Sequence, residues 1–303
     1  MNLFVGTARQ SDKDTMRVIK GYIALMKPRI IELLLITTVP AMIVAKQGIP
    51  NIGLILVTLI GGTLSAGGAN AVNMWVDRDI DAIMKRTQKR PLVTGEISPT
   101  AALVFAISIE VLAFVVLAVF VNLLSAMFAL AAALFYIFVY TLWLKRSSTQ
   151  NIVIGGAAGA APVLVGWAAV TNSVSWTPII MFLIIFLWTP PHFWALAFRY
   201  KEDYASANVP MLPSVATAKR TAREIVIYTV ILWACTLVLA PVAHLGIIYT
   251  LSAIVLGAGF FGYTVVLYRN CSPKVAMRVF SYSITYLTLL FLAMGIDILV
   301  RHY

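Results

Sequence analysis

The feature that most limits what this chain can fold into is a series of apolar runs of about 20 residues, the length at which a helix crosses the hydrocarbon core of a bilayer. Bounded by charge, Pro or Asn, the runs centre near Ile36, Leu59, Val111, Phe128, Ala161, Phe182, Leu232, Leu256 and Leu289, and predict nine transmembrane helices. A transmembrane barrel would instead show short alternating segments. Of the 303 residues 61% are apolar and 12% charged, about half the charged share of a soluble domain. That balance removes water-soluble globular folds and disorder together. Two cysteines are too few for a disulfide scaffold. Cys235 lies within the seventh run and Cys271 in a loop, so they are not expected to pair.

An odd number of spans puts the termini on opposite sides. With the N-terminus cytoplasmic, every one of the 23 Lys and Arg except Lys46 and Arg301 falls on the inner side. The net charge of +11 then reads as positive-inside bias and not as a nucleic-acid surface, and no nucleic-acid partner is expected. Residues 1–26 mix acids and bases and lack the apolar core of a signal peptide, so the first span is expected to act as the insertion signal. Met16, Ile19, Ile23 and Met26 recur with Arg17, Lys20 and Lys27 beside them, as in a short interfacial helix. The expected division is therefore a cytoplasmic segment with an interfacial helix, 1–26, and a single nine-helix domain, 27–303, with the C-terminus outside. The setting is a cell membrane, or the inner mitochondrial membrane of a eukaryote, and lipids are constant partners.

Glycine clusters in span 2 (Gly61, Gly62, Gly67, Gly68) and span 5 (Gly155, Gly156, Gly159, Gly166) permit close helix approach. The run from Gly155 to Pro162 is not a phosphate loop, because no Lys followed by Ser or Thr closes it. Glu110, inside span 3, is expected to face protein or a cavity, since a lipid-facing carboxylate is unfavourable by a few kcal/mol or about that.

Chemistry concentrates in two polar clusters. Asp77, Asp79 and Asp81 stand at the inner end of span 2, beside Asn73 and before Lys85, Arg86, Lys89 and Arg90. Asn73, Asp77 and Asp81 follow i, i+4, i+8 and form one stripe on a continuous helix, with Asp79 pointing to the far side. Three oxygen donors in a stripe suit a hard cation. Mg2+ fits better than calcium, because it is commonly held by one or two carboxylates while keeping water and substrate phosphate oxygens. A diphosphate is its natural counterpart, with Arg86 and Arg90 offering forks that match phosphate oxygens. The second cluster ends span 6, where Trp188 to His192 precede Arg199, Tyr200, Lys201, Glu202 and Asp203. Pro190 and Pro191 are expected to break the helix against a cavity, turning His192 into it, with Arg199 and Asp203 on the same face if the helix resumes.

These residues resemble the UbiA-type intramembrane prenyltransferase superfamily, whose first signature N-x-x-x-D-x-x-x-D is matched by Asn73, Asp77 and Asp81. The likeness to its heme-directed branch runs through "KPRI" at Lys27, "DRDID" at Asp77, "LKR" at Leu144, "NIVIGGAAGAAP" at Asn151, "WTPPHFWALA" at Trp188 and "YKEDY" at Tyr200. It spans nearly the whole chain. The wider superfamily has an Asp-rich second motif, whereas here only Glu202 and Asp203 supply acids near His192.

The resemblance implies an all-α polytopic fold, nine helices around a central cavity open to the lipid and capped by polar loops on the cytoplasmic side. It implies transfer of a farnesyl group from farnesyl diphosphate to a vinyl group of protoheme IX (heme b), with addition of water, giving heme O. Heme is then a substrate and Mg2+ the cofactor. Asn73, Asp77, Asp81 and Asp203 are the implied metal ligands. Lys27, Arg86, Arg90, Lys145, Arg199 and Lys201 are implied to bind substrate, and Asp77, Asp81, His192 and Asp203 to act in catalysis. Asp203 would hold a second, weaker ion, or Arg199 and Lys201 would meet the diphosphate directly. His192 would ligate heme iron, orient the porphyrin or hydrogen-bond the capturing water, and Gly155, Gly159 and Ala160 would leave the porphyrin room. A downstream heme-modifying enzyme or terminal oxidase assembly factor would receive the product. Two rival readings are a relative acting on an aromatic acid or chlorophyll precursor, and an ion-coupled transporter, although the acids cluster at one face and no internal repeat is evident.

Overall fold

The computed structural model describes the backbone of residues 16–302, and the side chains of these except 29–35 and 302. The expected placements of residues 1–15 and Tyr303 lie outside the described residues. A first helix, α1, covers residues 16–26. It is followed by α2 (Pro28–Lys46), α3 (Ile52–Val76), the short α4 (Arg78–Ile83) and α5 (Pro99–Phe120). Span 4 is α6 (Leu123–Leu134), a π-helical stretch (Phe135–Leu144) and α7 (Lys145–Ser147). Span 5 is α8 (Asn151–Ala160) and α9 (Pro162–Thr171). Then come α10 (Trp176–Arg199), the short α11 (Lys201–Ser206) and α12 (Leu212–Val215), and the long α13 (Ala218–Val242), α14 (Ile247–Asn270) and α15 (Pro273–His302).

Helix starts are written locally. The side chains of Asn51, Ser98, Asn122 and Thr217 each accept a hydrogen bond from the backbone N–H three residues on, which caps α3, α5, α6 and α13. Among the described residues eight helical segments are long and apolar enough to cross a membrane. The ninth expected span is α2, a helix of 19 residues whose described stretch Ile36–Lys46 is apolar. Eight of the expected span centres fall within helices, and the remaining one, Ala161, is the turn residue that joins α8 to α9. Both cysteines are free.

α3 packs on α5, α5 on α6, α6 on α9 and α9 on α2. On the other side α10 packs on α13, α13 on α14, α14 on α15, and α15 returns to both α10 and α2. The circuit of helices therefore closes through α2. Close approach explains two glycines. A Cβ on Gly68 would stand 2.8 Å from Glu110 Oε2, and one on Gly166 would stand 2.8 Å from the Thr38 carbonyl. Glu110 lies against protein as expected, and Ser65 Oγ donates to its Oε1 at 2.9 Å. The largest apolar core joins α10, α13, α14 and α15, while Val104, Val111 and Val119 of α5 stay exposed, as residues facing lipid do.

The expected break at Pro190–Pro191 is absent, for α10 runs unbroken from Trp176 to Arg199. Proline fixes a φ that a helix accepts, and two missing N–H groups leave only two carbonyls without their usual donors. Packing on α8, α13 and α15 holds the helix, and Thr189 Oγ1 bonds the Ile185 carbonyl at 2.8 Å. Nor does the helix carry Asp203 on a shared face, because it ends at Arg199 and α11 begins after Tyr200. The irregularities fall instead at Ala161, before Pro162, and in the π-helical stretch, a form that often marks functional sites.

Candidate active site

The polar stripe forms as its spacing predicts. α3 ends at Val76, yet Asp77 N bonds Asn73 O at 3.0 Å and Asp81 N bonds Asp77 O at 2.8 Å, so the helical register carries through the boundary. Asn73, Asp77 and Asp81 are buried, at 2%, 0% and 2% exposure. Carboxylates so deep demand partners, and cations from other elements, one near and one distant in the chain, supply them. Lys145, at the end of the π-helical stretch, bonds Asp77 Oδ2, and Arg90, from the loop after α4, bonds Asp81 Oδ2.

Lys27 joins the same cluster. It is the residue between α1 and α2, with a left-handed φ of 53°. Its Nζ donates to Asn73 Oδ1 at 2.6 Å. Burial, then the charges of Arg90 and Lys145, push this ammonium down to about 7. Asn73 in turn donates through Nδ2 to Asp77 Oδ2 at 2.8 Å and to Thr141 Oγ1 at 3.1 Å. Its amide oxygen thus faces Lys27 and not the carboxylates, which differs from the three-oxygen stripe drawn from sequence.

Asp79 takes the far side, as expected. Arg146 grips it with two bonds of 2.7 Å, which hold its carboxyl down to about 2. Arg86 donates to Tyr204 OH at 3.1 Å and lies over the Tyr204 ring at 5.1 Å. Arg199 and Lys201 are exposed, Asp203 is half-buried, and none of these three side chains joins the stripe through an ion pair or hydrogen bond. His192 is buried but bonds Ser283 of α15 through Nδ1 at 2.7 Å, not the carboxylates. Gly159 opens onto free space, whereas Tyr140 fills the space beside Gly155.

Five participants went unnamed by the sequence reading: Asn70, Tyr136, Thr141, Arg146 and Ser283. Asn70 was within reach of it, one turn before Asn73 on the same helix. Its Nδ2 bonds the Met26 carbonyl at 3.2 Å and its Oδ1 meets Tyr136 OH at 3.5 Å.

One atom bears on a metal. Asp77 Oδ1 is buried and has no hydrogen-bond partner, with Arg146 Nη2 approaching only to 3.8 Å. A hard divalent ion fits an oxygen donor set with such an unanswered carboxylate oxygen. Among the described residues no three His, Cys, Asp or Glu side chains gather to hold a metal. Water and substrate oxygens would therefore complete the coordination, as is usual for magnesium with phosphates.

A closed circuit of apolar helices with two cation-matched carboxylates at the end of α3 and in α4 defines a multi-pass helical membrane protein with a buried charged cluster. The chain belongs to the UbiA prenyltransferase family, which matches residues 34–294. It is 55% identical over 300 residues to the protoheme IX farnesyltransferase of Clavibacter michiganensis subsp. michiganensis, covering 97% of this chain and 98% of that one. It is 51% identical over 289 residues to the protein of the same name in Streptomyces coelicolor, covering 93% and 92%. Among solved structures, one of digeranylgeranylglyceryl phosphate synthase aligns with a TM-score of 0.78 at 19% identity, over 93% of this chain and 99% of that one. A UbiA homolog from Archaeoglobus fulgidus bound to GPP and Mg2+ aligns with a TM-score of 0.65 at 19% identity, over 92% and 99%. At that identity the last two speak for the fold alone.

Proposed function

We propose that this chain transfers the farnesyl group of farnesyl diphosphate to a vinyl group of protoheme IX, with addition of water, to give heme O. The observation that carries the chemistry is the meeting of buried Asp77 and Asp81 with Lys27, Arg90 and Lys145 at one mouth of the bundle. The acceptor rests on relatives at 50–55% identity over nearly the whole chain, named protoheme IX farnesyltransferases. Neither rival reading has a specific observation in its favour.

The diphosphate head lies among Lys27, Arg90 and Lys145, whose charges match its oxygens. Asp77 and Asp81 would hold magnesium, which supplies positive charge against the leaving diphosphate as the C–O bond breaks. The residues' task is to release those cations from carboxylate to diphosphate without rebuilding the site, so that the electrostatic response is preorganised. Heterolysis leaves an allylic cation. The vinyl π electrons form the new C–C bond, the positive charge passes to the carbon beside the porphyrin, and water adds there and loses a proton to solvent. The apolar walls exclude water from the first cation until the vinyl group has reacted.

The protein sits in the cell membrane with its N-terminus and the Asp77 mouth on the cytoplasmic side, the orientation that the distribution of Lys and Arg favours. The deciding experiment is product analysis with purified protein, heme b, farnesyl diphosphate and Mg2+. A heme whose mass has risen by one farnesyl group and one hydroxyl group is expected. Unchanged heme together with prenylation of a phenolic acid would overturn the acceptor.

A further inference from the structure

The His192 ring is held on three sides. Trp188 stacks on it with centroids 4.1 Å apart and planes 20° from parallel, and Phe280 stacks at 4.6 Å and 30°. Phe193 meets it edge-on at 5.0 Å. The fourth constraint is polar, where Nδ1 lies 2.7 Å from Ser283 Oγ. Ser283 is itself fully buried, and its carbonyl accepts the Trp188 indole N–H at 2.7 Å, so one residue of α15 anchors both rings.

The direction of the Nδ1 contact follows from where the serine proton goes. Ser283 Oγ donates to the Phe280 carbonyl at 2.6 Å. A hydroxyl has one proton. With that proton on the carbonyl, Oγ meets His192 as an acceptor, and Nδ1 must carry the hydrogen. The neutral ring is then the Nδ1–H tautomer, with its lone pair on Nε2. Nε2 has no hydrogen-bond partner among the described residues.

A lone pair so displayed serves either a base or a metal ligand, and the surroundings separate the two. A base would become an imidazolium, yet the ring packs on two aromatic faces, an aromatic edge and a serine oxygen, and among the described residues no carboxylate pairs or hydrogen-bonds with it to balance the charge. A ligand stays neutral. Histidines that bind metals commonly donate their other ring N–H to an oxygen, which sets tautomer and orientation.

We propose that Ser283 is a positioning residue that holds His192 as the Nδ1–H tautomer, so that Nε2 ligates the iron of the heme acceptor. This rests on the acceptor reading above, and it divides labour within the bundle: the α3–α4 mouth handles diphosphate, while α10 and α15 handle the porphyrin iron.

The test compares heme b with metal-free protoporphyrin IX as ligands of the full-length protein in detergent. His192→Ala should weaken heme binding about tenfold or more, the scale on which a metal ligand's support acts, and should abolish the wild-type Soret position. Protoporphyrin binding should stay unchanged, which also reports that the variant is folded. Ser283→Ala should shift the heme spectrum and weaken heme binding alone, and Ser283→Thr, which restores a hydroxyl, should recover both. Equal loss of both ligands in His192→Ala would reduce the residue to packing, and an unshifted spectrum in Ser283→Ala would end its positioning role. A wild type that forms heme product but whose heme spectrum ignores His192 overturns this inference alone. A wild type that binds no heme and forms no heme product overturns the acceptor reading beneath it.

Discussion

Lys27 donates to Asn73 across 2.6 Å and does so from a left-handed backbone conformation. The next residue is Pro28, which disfavours a right-handed helical residue before it, and here the chain does break between α1 and α2. The turn at Lys27 aims the ammonium at the stripe. Positive φ in a residue with a side chain is unfavourable by about 1–3 kcal/mol and persists where surrounding structure over-determines it.

Lys27→Met should therefore leave the protein folded while raising the KM for farnesyl diphosphate about tenfold or more, on the basis of ~1.5–3 kcal/mol for a hydrogen bond to a charged group. Steady-state kinetics with heme saturating measures it. A fall in kcat at unchanged KM would remove Lys27 from diphosphate binding.

The three aspartates should separate by their surroundings. Asp77→Asn and Asp81→Asn should each lower turnover by orders of magnitude without unfolding the protein, because the magnesium proposed to rest on them would lose its carboxylate partners. Asp79→Asn should be mild: its pair with Arg146 is partly exposed, at 59% and 37% for the two side chains, and pairs of that kind contribute ~0–1 kcal/mol. Equal losses in all three would refute the one-stripe geometry. Chelation should abolish wild-type turnover and added Mg2+ should restore it.

Two glycines of α8 should respond in opposite ways. A Cβ on Gly155 would clash with the Tyr140 ring, whereas one on Gly159 meets nothing within 4 Å. Gly155→Ala should destabilise by about 1–3 kcal/mol, as overpacking does. Gly159→Ala should be close to neutral, while a bulkier Gly159→Leu should impair heme farnesylation more than it impairs diphosphate binding. Thermal unfolding in detergent and paired binding assays read these separately.

Orientation is open to labelling. With Cys235 and Cys271 replaced by Ala, Ser173→Cys between α9 and α10 should react with an impermeant maleimide in intact cells. Ser206→Cys, at the end of α11, should react only after permeabilisation. The reverse pattern would invert the topology.

The nine apolar runs and the Asn73–Asp77–Asp81 register were legible because both are local. Span length is set by bilayer thickness, and a period of four residues is set by the helix itself. The same local reasoning failed at Pro190 and Pro191. There a sequence rule about isolated helices met neighbours on α8, α13 and α15 that hold the backbone in place. It also missed the π-helical turn around Thr141, since a π-helix presents the same apolar composition as an α-helix.

What the sequence alone determined, then, is a membrane-spanning helical chain with one buried acidic stripe, since hydropathy and helical period act between near neighbours. Tertiary structure decided which group answers each charge. Lys27 and Lys145 reach Asn73 and Asp77 from 46 and 68 positions away, and Ser283 reaches His192 from 91. No periodicity joins residues so far apart. Their meeting depends on the order in which helices pack, and a buried charge or a tautomer is settled only by the atoms that surround it after packing is complete.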